Sequence, residues 1–239
     1  MSAPLGYELR FWPEFGRLLT DPRFWSPKPS DRPRPVLLIP GFLAGDASLT
    51  VLAGWLRRRG HDVCPSGIRV NVGCAGRDLE RVSTVLETFG EPAVVIGQSR
   101  GGTLARALAA RHPDRIAAVM TLGSPVLDQL AVSPSVLRTV RSLAFLGDLG
   151  IGTFFTNDCR DGTCCSEFRD LLGAPLPEDA PVVAVYSRSD AIVDWRACLD
   201  PAAECVEVDG SHCGMAVNAD VYRALERLLE RSEEAVCSR

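Results

Sequence analysis

The chain has 239 residues, 46% of them hydrophobic, and a formal net charge of −4 at pH 7. This length and apolar fraction favour one α/β domain with a substantial core. The acidic balance offers no electrostatic attraction for nucleic acid or an anionic membrane, and we expect no nucleic-acid partner.

No export signal or membrane anchor is evident. Glu8, Arg10 and Glu14 interrupt residues 1–17, which therefore lack the apolar core of a signal peptide. No apolar run reaches the length of about 18 residues that a spanning helix needs. We expect a cytoplasmic protein without a transmembrane segment, and the sequence leaves its oligomeric state open.

Residues 1–35 differ in composition from the rest of the chain. They are rich in proline and aromatic residues, and the prolines of residues 27–35 exclude regular structure there. This composition predicts an N-terminal arm that lies on the domain and leads into the first strand. Its expected anchors are the aromatic side chains Phe11, Trp12, Phe15, Phe24 and Trp25.

Strand and helix patterns then alternate at short intervals. Continuous apolar runs indicate strands, and apolar positions three or four residues apart indicate helices. Strands are predicted at residues 36–39, 61–65, 92–96 and 116–122, and helices at 49–59, 77–89 and 102–111. This alternation favours an α/β fold whose mostly parallel sheet carries helices on both faces and gathers the carboxyl ends of its strands at one edge.

The alternation stops after the fourth strand, at residues 124–181. Residues 136–146 predict a helix, and residues 149–155 form an apolar, glycine-containing stretch. A connection this long is often functional, so we interpret it as a cap, or lid, over the active edge. The core is then predicted at residues 36–123 and 182–239. Its second part has predicted strands at 182–186 and 205–208 and predicted helices at 195–199 and 217–231.

A five-residue turn, Gly-Gln-Ser-Arg-Gly at residues 97–101, joins a predicted strand to a predicted helix. In this context the turn has the form of a nucleophile elbow, which holds Ser99 at the tip of a sharp bend above the sheet. Glycines two residues to either side avoid a collision across that bend. The spacing alone is a weak signal, and the strand before it and the helix after it carry the interpretation.

A serine nucleophile needs a base, and the chain has three histidines. His212 follows the last predicted strand, on the same edge as the elbow, and is the predicted base. His61 precedes a strand at the far edge of the sheet, which favours a structural role. His112 ends the helix after the elbow, roughly 20 Å from Ser99 at 1.5 Å per residue, and is too distant.

The base needs an acidic residue to orient it. Asp190 follows the predicted strand at residues 182–186, and Asp194 is the alternative four residues later. We favour Asp190 because it lies closer to the end of the strand. The resulting chain order of serine, aspartate and histidine differs from that of chymotrypsin-like and subtilisin-like enzymes.

Two backbone N–H groups are predicted to stabilise the oxyanion of a tetrahedral intermediate. One is that of Arg100, at the start of the helix after the elbow. The other belongs to the loop after the first strand, where Phe42 is the first choice and Leu43 the second. Leu43 and Asn71 are also predicted to contact the substrate. The alternative interpretation of this loop is an ordinary turn.

Nine cysteines are many for a cytoplasmic chain. Cys159, Cys164 and Cys165 lie in one loop, whereas Cys198 and Cys205 flank one short connection. Either set allows a disulfide, but a reducing cytoplasm favours free thiols. A zinc site is disfavoured because no Cys-x-x-Cys pair exists and no histidine lies near the cluster, so we expect no metal.

The chain resembles the α/β-hydrolase fold superfamily and, within it, single-domain serine esterases and lipases. The resemblance covers residues 36–231. It rests on Pro-Gly-Phe at 40–42, Gly-Gln-Ser-Arg-Gly-Gly at 97–102, Ser-Asp-Ala-Ile-Val at 189–193 and Gly-Ser-His at 210–212. Gln98 stands where many lipases carry histidine, and the charged Arg100 stands where a smaller or uncharged residue is common. The first two strands usual in the superfamily are missing or degenerate.

The resemblance implies hydrolysis of carboxylic esters through an acyl-enzyme on Ser99, which water activated by His212 then hydrolyses, with no cofactor. The apolar segment 143–155 favours a small-molecule or lipid ester as substrate and a transient contact of the lid with a lipid interface. A thioesterase or acyltransferase on the same residues remains an alternative. A catalytically silent binding protein of this fold is a further alternative, because a fold does not determine a function.

Overall fold

The computed structural model describes residues 5–237. The strands are β1 (Pro35–Ile39), β2 (Asp62–Pro65), β3 (Ala93–Gln98), β4 (Ile116–Leu122), β5 (Val182–Tyr186) and β6 (Glu204–Glu207). The α-helices are α1 (Phe11–Thr20), α2 (Pro22–Trp25), α3 (Thr50–Arg58), α4 (Ala75–Glu87), α5 (Arg100–Arg111), α6 (Pro134–Asp148), α7 (Asn157–Asp161), α8 (Ser166–Gly173) and α9 (Ala219–Cys237). Short 3-10 helices include Leu5–Arg10 and Trp195–Cys198.

The six strands form one parallel sheet in the order β2-β1-β3-β4-β5-β6. All five residues of β1 are buried, as expected of a central parallel strand covered on both faces. Ile39 at the end of β1 pairs with Gly97 near the end of β3. The loop after β1 therefore begins beside the turn after β3, and both lie at the carboxyl edge of the sheet.

Helices cover both faces of the sheet, and alternate residues of β1 point into two separate apolar clusters. One cluster contains Trp55 of α3 and Leu225 of α9. The other contains Leu79 of α4 and Leu104 of α5. All four side chains are buried, so the predicted parallel sheet with helices on both faces is confirmed. None of the helices in residues 5–237 is long and apolar enough to cross a membrane.

Residues 124–181 carry three helices, α6, α7 and α8, between β4 and β5. Helix α6 buries a single residue, Ala144, whereas α8 buries Phe168 in the cluster that α4 and α5 share. The first helix of the segment is therefore loosely attached, and the last is packed into the core. That difference fits a segment that is anchored at its carboxyl end.

The aromatic anchors predicted for residues 1–35 are only partly correct. Phe24 is buried, and Phe11 and Phe15 pack against the core. Trp12 and Trp25, however, are 70% and 59% exposed. Residues 11–20 form an amphipathic helix, so only one of its faces meets the domain, and Trp12 on the other face remains in solvent. Trp25 is the last residue of α2.

Candidate active site

Ser99 occupies the turn between β3 and α5 in a backbone conformation that L-residues rarely adopt. Its φ and ψ angles are 52° and −123°. Its N–H donates a 2.7 Å hydrogen bond to the carbonyl of Leu122 in the adjacent strand. The strain of a positive φ is kept only where the surrounding structure enforces it, and such positions concentrate at functional sites.

The glycines of this turn allow three backbone segments to meet. A Cβ atom on Gly97 would lie 2.2 Å from the carbonyl oxygen of Gly101. A Cβ atom on Gly101 would lie 2.2 Å from the carbonyl oxygen of Ile39 at the end of β1. Both distances are far inside van der Waals contact with backbone atoms that cannot easily move. Glycine is therefore required on both sides of Ser99.

His212 and Asp190 form a buried pair at the same edge. The Nδ1 atom of His212 lies 2.7 Å from Oδ2 of Asp190. The other carboxylate oxygen of Asp190 accepts the backbone N–H groups of Ile192 and Val193, both at 2.8 Å. Three hydrogen bonds thus fix the Asp190 carboxylate and the imidazole ring, and Nε2 of His212 lies on the side of the ring away from Asp190.

Asp194, the alternative acidic residue, has a different role in the structure. Its carboxylate accepts the backbone N–H of Arg196 and caps the 3-10 helix Trp195–Cys198. Its side chain is 44% exposed and also forms an ion pair with the Arg196 guanidinium. The partner of His212 among the described residues is Asp190.

The charge of Asp190 acts on the imidazole ring. Burial opposes a charged ring, but the attraction and hydrogen bond of the Asp190 carboxylate outweigh it and raise the pKa of His212 above its ordinary value. The side chain of Gln98 donates a hydrogen bond to the carbonyl of His212 at 3.1 Å. Within the described residues, Ser99 Oγ makes no hydrogen bond to the His212 ring, a pairing that often tightens only when substrate binds.

Two backbone N–H groups near Ser99 have no acceptor in the described part of the chain: those of Phe42 and Arg100. Arg100 is the first residue of α5, where the N–H has no partner within the helix. The N–H of Leu43 instead donates to the carbonyl of Asn71 at 3.2 Å. Leu43 itself has a φ of 62°. Of the two candidates in this loop, only Phe42 therefore keeps a free donor.

Asn71 does not contact the cavity, contrary to the prediction. Its side chain is fully buried, and its Nδ2 donates to the carbonyl of Pro40 at 2.7 Å. Its Oδ1 accepts a hydrogen bond from the Arg100 guanidinium, which also reaches the carbonyl of Gly73 at 2.7 Å and the carboxylate of Asp78 at 3.3 Å. Asn71 thus holds the loop after β1 and the Arg100 side chain in place.

A cavity of ≈ 580 Å³ opens beside Ser99 and His212. The loop after β1 contributes Phe42 and Leu43 to its wall, and α5 contributes Arg100. Residues 125–159 contribute a largely apolar part of the wall, which includes Leu130, Val132, Val136, Val140 and Phe155. The serine and the imidazole therefore face one common, largely apolar space.

Two carboxylates of the N-terminal segment hold the loop that carries His212. Glu8 accepts the backbone N–H groups of His212 at 3.2 Å and Cys213 at 2.8 Å, and that of Ala191 in the Asp190 loop at 3.2 Å. The carboxylate of Glu14 accepts the N–H and the hydroxyl of Ser211 at 2.8 and 3.0 Å.

Sequence reasoning missed both glutamates because about 200 residues separate them from their partners and no local pattern links the two. The burial of Glu14 in an otherwise amphipathic helix raises its pKa, although the hydrogen bonds from Ser211 oppose that shift. A carboxylate on the apolar face of α1 is the one signal that could have indicated a structural partner.

A family profile described as alpha/beta hydrolase fold matches residues 73–150. The chain is also similar to three solved structures. The first is a monoacylglycerol lipase of Paleococcus ferrophilus, with 16% identity and a TM-score of 0.57 over 85% of this chain and 96% of that one. The second is the lipase BlEst2 of Bacillus licheniformis, with 15% identity and a TM-score of 0.61 over 87% of this chain and 96% of that one. The third is alpha/beta hydrolase domain-containing protein 10 of mouse, with 18% identity and a TM-score of 0.59 over 84% of this chain and 91% of that one.

These similarities span most of the chain and nearly the whole of each compared structure, at identities that support a common fold. They agree with the six-stranded parallel sheet and the helices on both of its faces. The chain therefore has the α/β-hydrolase fold.

Proposed function

We propose that the protein hydrolyses carboxylic esters through an acyl-enzyme formed on Ser99. One observation carries the proposal. The strained Ser99 faces the same cavity as His212, and the Nδ1 atom of His212 lies 2.7 Å from the buried Asp190 carboxylate. Two of the compared structures are described as lipases, which supports the same reaction class for this chain.

His212 acts as general base in this mechanism. Its Nε2 takes the hydroxyl proton of Ser99 as Oγ attacks the ester carbonyl, and Asp190 stabilises the imidazolium that forms. The N–H groups of Phe42 and Arg100 receive the oxyanion, and losing one such donor typically costs about 3 kcal/mol of transition-state stabilisation. His212 then protonates the leaving alcohol. Water, deprotonated by the same ring, releases the acid and restores Ser99.

The cavity supports an ester with an apolar acyl group as substrate. Its walls contain Leu130, Val136 and Val140 from the segment after β4 and Leu43 from the loop after β1. Leu43 is 53% exposed, which suits a side chain that is covered when substrate binds. Residues 124–181 then serve as a cap over the site, as the sequence predicts.

The cap also exposes apolar side chains to solvent. Phe145, Leu149 and Ile151 are each more than half exposed. Large apolar side chains that are exposed within a few residues of one another, in a segment that lines the site, favour transient contact with a lipid interface. A thioester or a dedicated acyl acceptor in place of an ester and water would use the same residues, and activity assays distinguish these cases.

The first experiment is hydrolysis of nitrophenyl esters from acetate to palmitate by the wild type, by Ser99→Ala and by Ser142→Ala. Ser142 lies on the exposed side of α6 and provides a matched serine substitution outside the site. We expect Ser99→Ala to reduce kcat/KM by about 10⁴-fold or more and Ser142→Ala to leave it unchanged.

The acyl-chain preference defines the substrate further. An optimum at long chains supports a lipase, and one at short chains an esterase. If no ester is turned over but a fluorophosphonate still labels Ser99, the assignment moves to a thioesterase or acyltransferase. A wild type that neither turns over esters nor reacts with the probe would identify a silent binding protein and overturn the proposal.

A further inference from the structure

Four cysteines from two segments that are distant in sequence meet in the structure. The sulfur atoms of Cys74, Cys159, Cys164 and Cys165 all lie within 4.8 Å of one another. The shortest separations join Cys74 to Cys165 at 3.4 Å and Cys74 to Cys164 at 3.5 Å. Cys159 lies 3.5 Å from Cys164. All four are free thiols in the structure.

The spacing of these sulfurs is that of ligands around one small ion. A zinc ion with Zn–S bonds of about 2.3 Å places its four sulfurs at the corners of a tetrahedron with edges of about 3.8 Å. The separations in the cluster, from 3.4 to 4.8 Å, span that value. A single metal ion therefore fits if the most distant sulfurs of the cluster approach each other by about 1 Å.

Helix ends favour negative charge at the same place. Cys74 is the N-terminal cap of α4 and Cys165 is that of α8. The backbone N–H groups of Arg77 and Gly76 contact the sulfurs of Cys74 and Cys165. The positive ends of two helices and two N–H···S contacts stabilise bound thiolates, as outer partners do in metal sites.

We propose that Cys74, Cys159, Cys164 and Cys165 bind one Zn²⁺ ion in a closed, tetrahedral site. All-sulfur ligation with tetrahedral spacing selects Zn²⁺ over harder divalent cations, and each thiol releases its proton to solvent as it binds. Four protein ligands leave no open position for water, so the ion is structural and takes no part in the reaction at Ser99. The proposal goes beyond ester hydrolysis and does not depend on it.

This proposal differs from the sequence-based expectation that the protein holds no metal. Three of the ligands lie within residues 159–165, a segment with no Cys-x-x-Cys pair. The fourth, Cys74, is contributed by the loop before α4, 85 residues earlier. No local sequence motif predicts this contact, because the two segments come together only in the folded protein.

The ion would fasten the cap to the wall of the cavity. The loop that carries Cys74 also holds the Arg100 guanidinium through the carbonyl of Gly73 at 2.7 Å. The carbonyl of Val72 accepts the N–H of Phe155, a residue of the cavity wall, at 2.9 Å. Zinc at Cys74 thus links α7 and α8 to a loop whose other contacts shape the space next to Ser99.

Metal analysis of the protein purified without chelator tests this proposal. We expect one zinc ion per chain, and we expect Cys74→Ser and Cys164→Ser each to weaken zinc retention by about tenfold or more, since even outer partners of a zinc site contribute that much. Cys205→Ser is the matched control, because Cys205 is exposed on β6 and outside the cluster. It should retain one zinc ion.

Three further readouts keep the test decisive if the variants fail to fold. Cobalt added to the chelator-treated wild type should give the absorption of a tetrahedral thiolate complex, and chelation should lower the Tm of the wild type. Alkylation of the denatured, unreduced protein should modify every cysteine. Three results would overturn the proposal. The wild type could bind neither zinc nor cobalt under reducing conditions, or it could contain iron instead of zinc. It could also show four fewer free thiols, because two disulfides join the cluster.

Discussion

Ser99 is held by its surroundings in a conformation that its own backbone disfavours. A positive φ in a residue with a Cβ atom costs of order 1–3 kcal/mol. The hydrogen bond from its N–H to Leu122 and the tight packing of Gly97 against Gly101 enforce that geometry. The strained backbone places the Ser99 hydroxyl at the edge of the cavity. This conformation lowers the stability of the folded protein, and in exchange the hydroxyl lies where substrate would bind.

Replacing Ser99 by glycine or by alanine separates strain from chemistry. Both variants should lose ester turnover, because neither has a nucleophile. Ser99→Gly should nevertheless be about 1 kcal/mol more stable than Ser99→Ala, because glycine adopts a φ of 52° without a steric penalty. Urea unfolding at equilibrium measures the difference. Equal stabilities would show that the backbone at this position is not strained.

The charge of Asp190 should be visible in the pH profile of kcat/KM. The carboxylate raises the pKa of His212, so the wild-type rate should rise with pH through a value above the ordinary one of about 6.5. In Asp190→Asn, burial remains while the attraction is lost, and the acidic limb should move to lower pH. The maximal rate should fall by about 10⁴-fold.

Asp194→Asn is the control for that profile, because Asp194 caps a neighbouring 3-10 helix rather than the imidazole ring. It should keep both the position of the acidic limb and most of the rate. Full activity in Asp190→Asn together with a loss in Asp194→Asn would reverse the assignment of the acidic residue.

At the scale of elements, the N-terminal 3-10 helix and α1 fix the loop after β6. Glu8 joins the Asp190 loop to the His212 loop through three backbone N–H groups, and Glu14 satisfies both donors of Ser211. Segments at opposite ends of the chain therefore position the base. Residues 1–35 contribute to the site as well as to the packing of the domain.

Removing the Glu14 carboxylate should affect both stability and turnover. Glu14→Ala leaves two buried donors of Ser211 without an acceptor, which should cost about 1–3 kcal/mol in the free energy of unfolding. The His212 loop should also lose definition, so kcat should fall more than KM changes. Glu230→Ala, at an exposed position of α9, should change neither quantity. A variant with wild-type kcat would restrict Glu14 to a purely structural role.

The elements that sequence patterns predicted best are those that are buried throughout. The predicted strands at 116–122 and 182–186 coincide with β4 and β5, because a strand covered on both faces is a continuous apolar run. The N-terminal aromatic residues were less predictable. Composition identified them as anchors, but the helical orientation that exposes Trp12 and Trp25 depends on how α1 and α2 dock onto the domain.

At the scale of the whole molecule, one buried ion pair joins three parts of the fold. Arg106 of α5 donates to the carboxylate of Asp200, between β5 and β6, at 3.0 Å. The same guanidinium donates to the carbonyls of Leu171 and Ala174 at the end of α8, at 2.8 and 2.9 Å. The side chains of both charged residues are 5% exposed. The core helix after Ser99 is thereby joined to the carboxyl end of α8.

Breaking this pair should destabilise the protein strongly. Arg106→Ala leaves the Asp200 charge buried and unpaired, which typically costs about 3–5 kcal/mol. Arg17→Ala removes an exposed arginine from its 3.6 Å pair with Asp220 and should cost less than about 1 kcal/mol. Denaturant unfolding of both variants gives the comparison. Similar losses in the two would show that burial adds nothing to the Arg106 pair.

Local sequence was sufficient to predict the parallel sheet, the turn at Ser99 and the candidates Asp190 and His212. These signals are short-range: apolar runs, a glycine-flanked serine, and polar residues just after the ends of strands. Three features could be identified only from the tertiary structure. They are the hydrogen bonds of Glu8 and Glu14 to the His212 loop, the hydrogen bond of the buried Asn71 to Pro40, and the cluster around Cys74. Each joins segments far apart in the chain, and packing of the helices against the sheet brings those segments into contact.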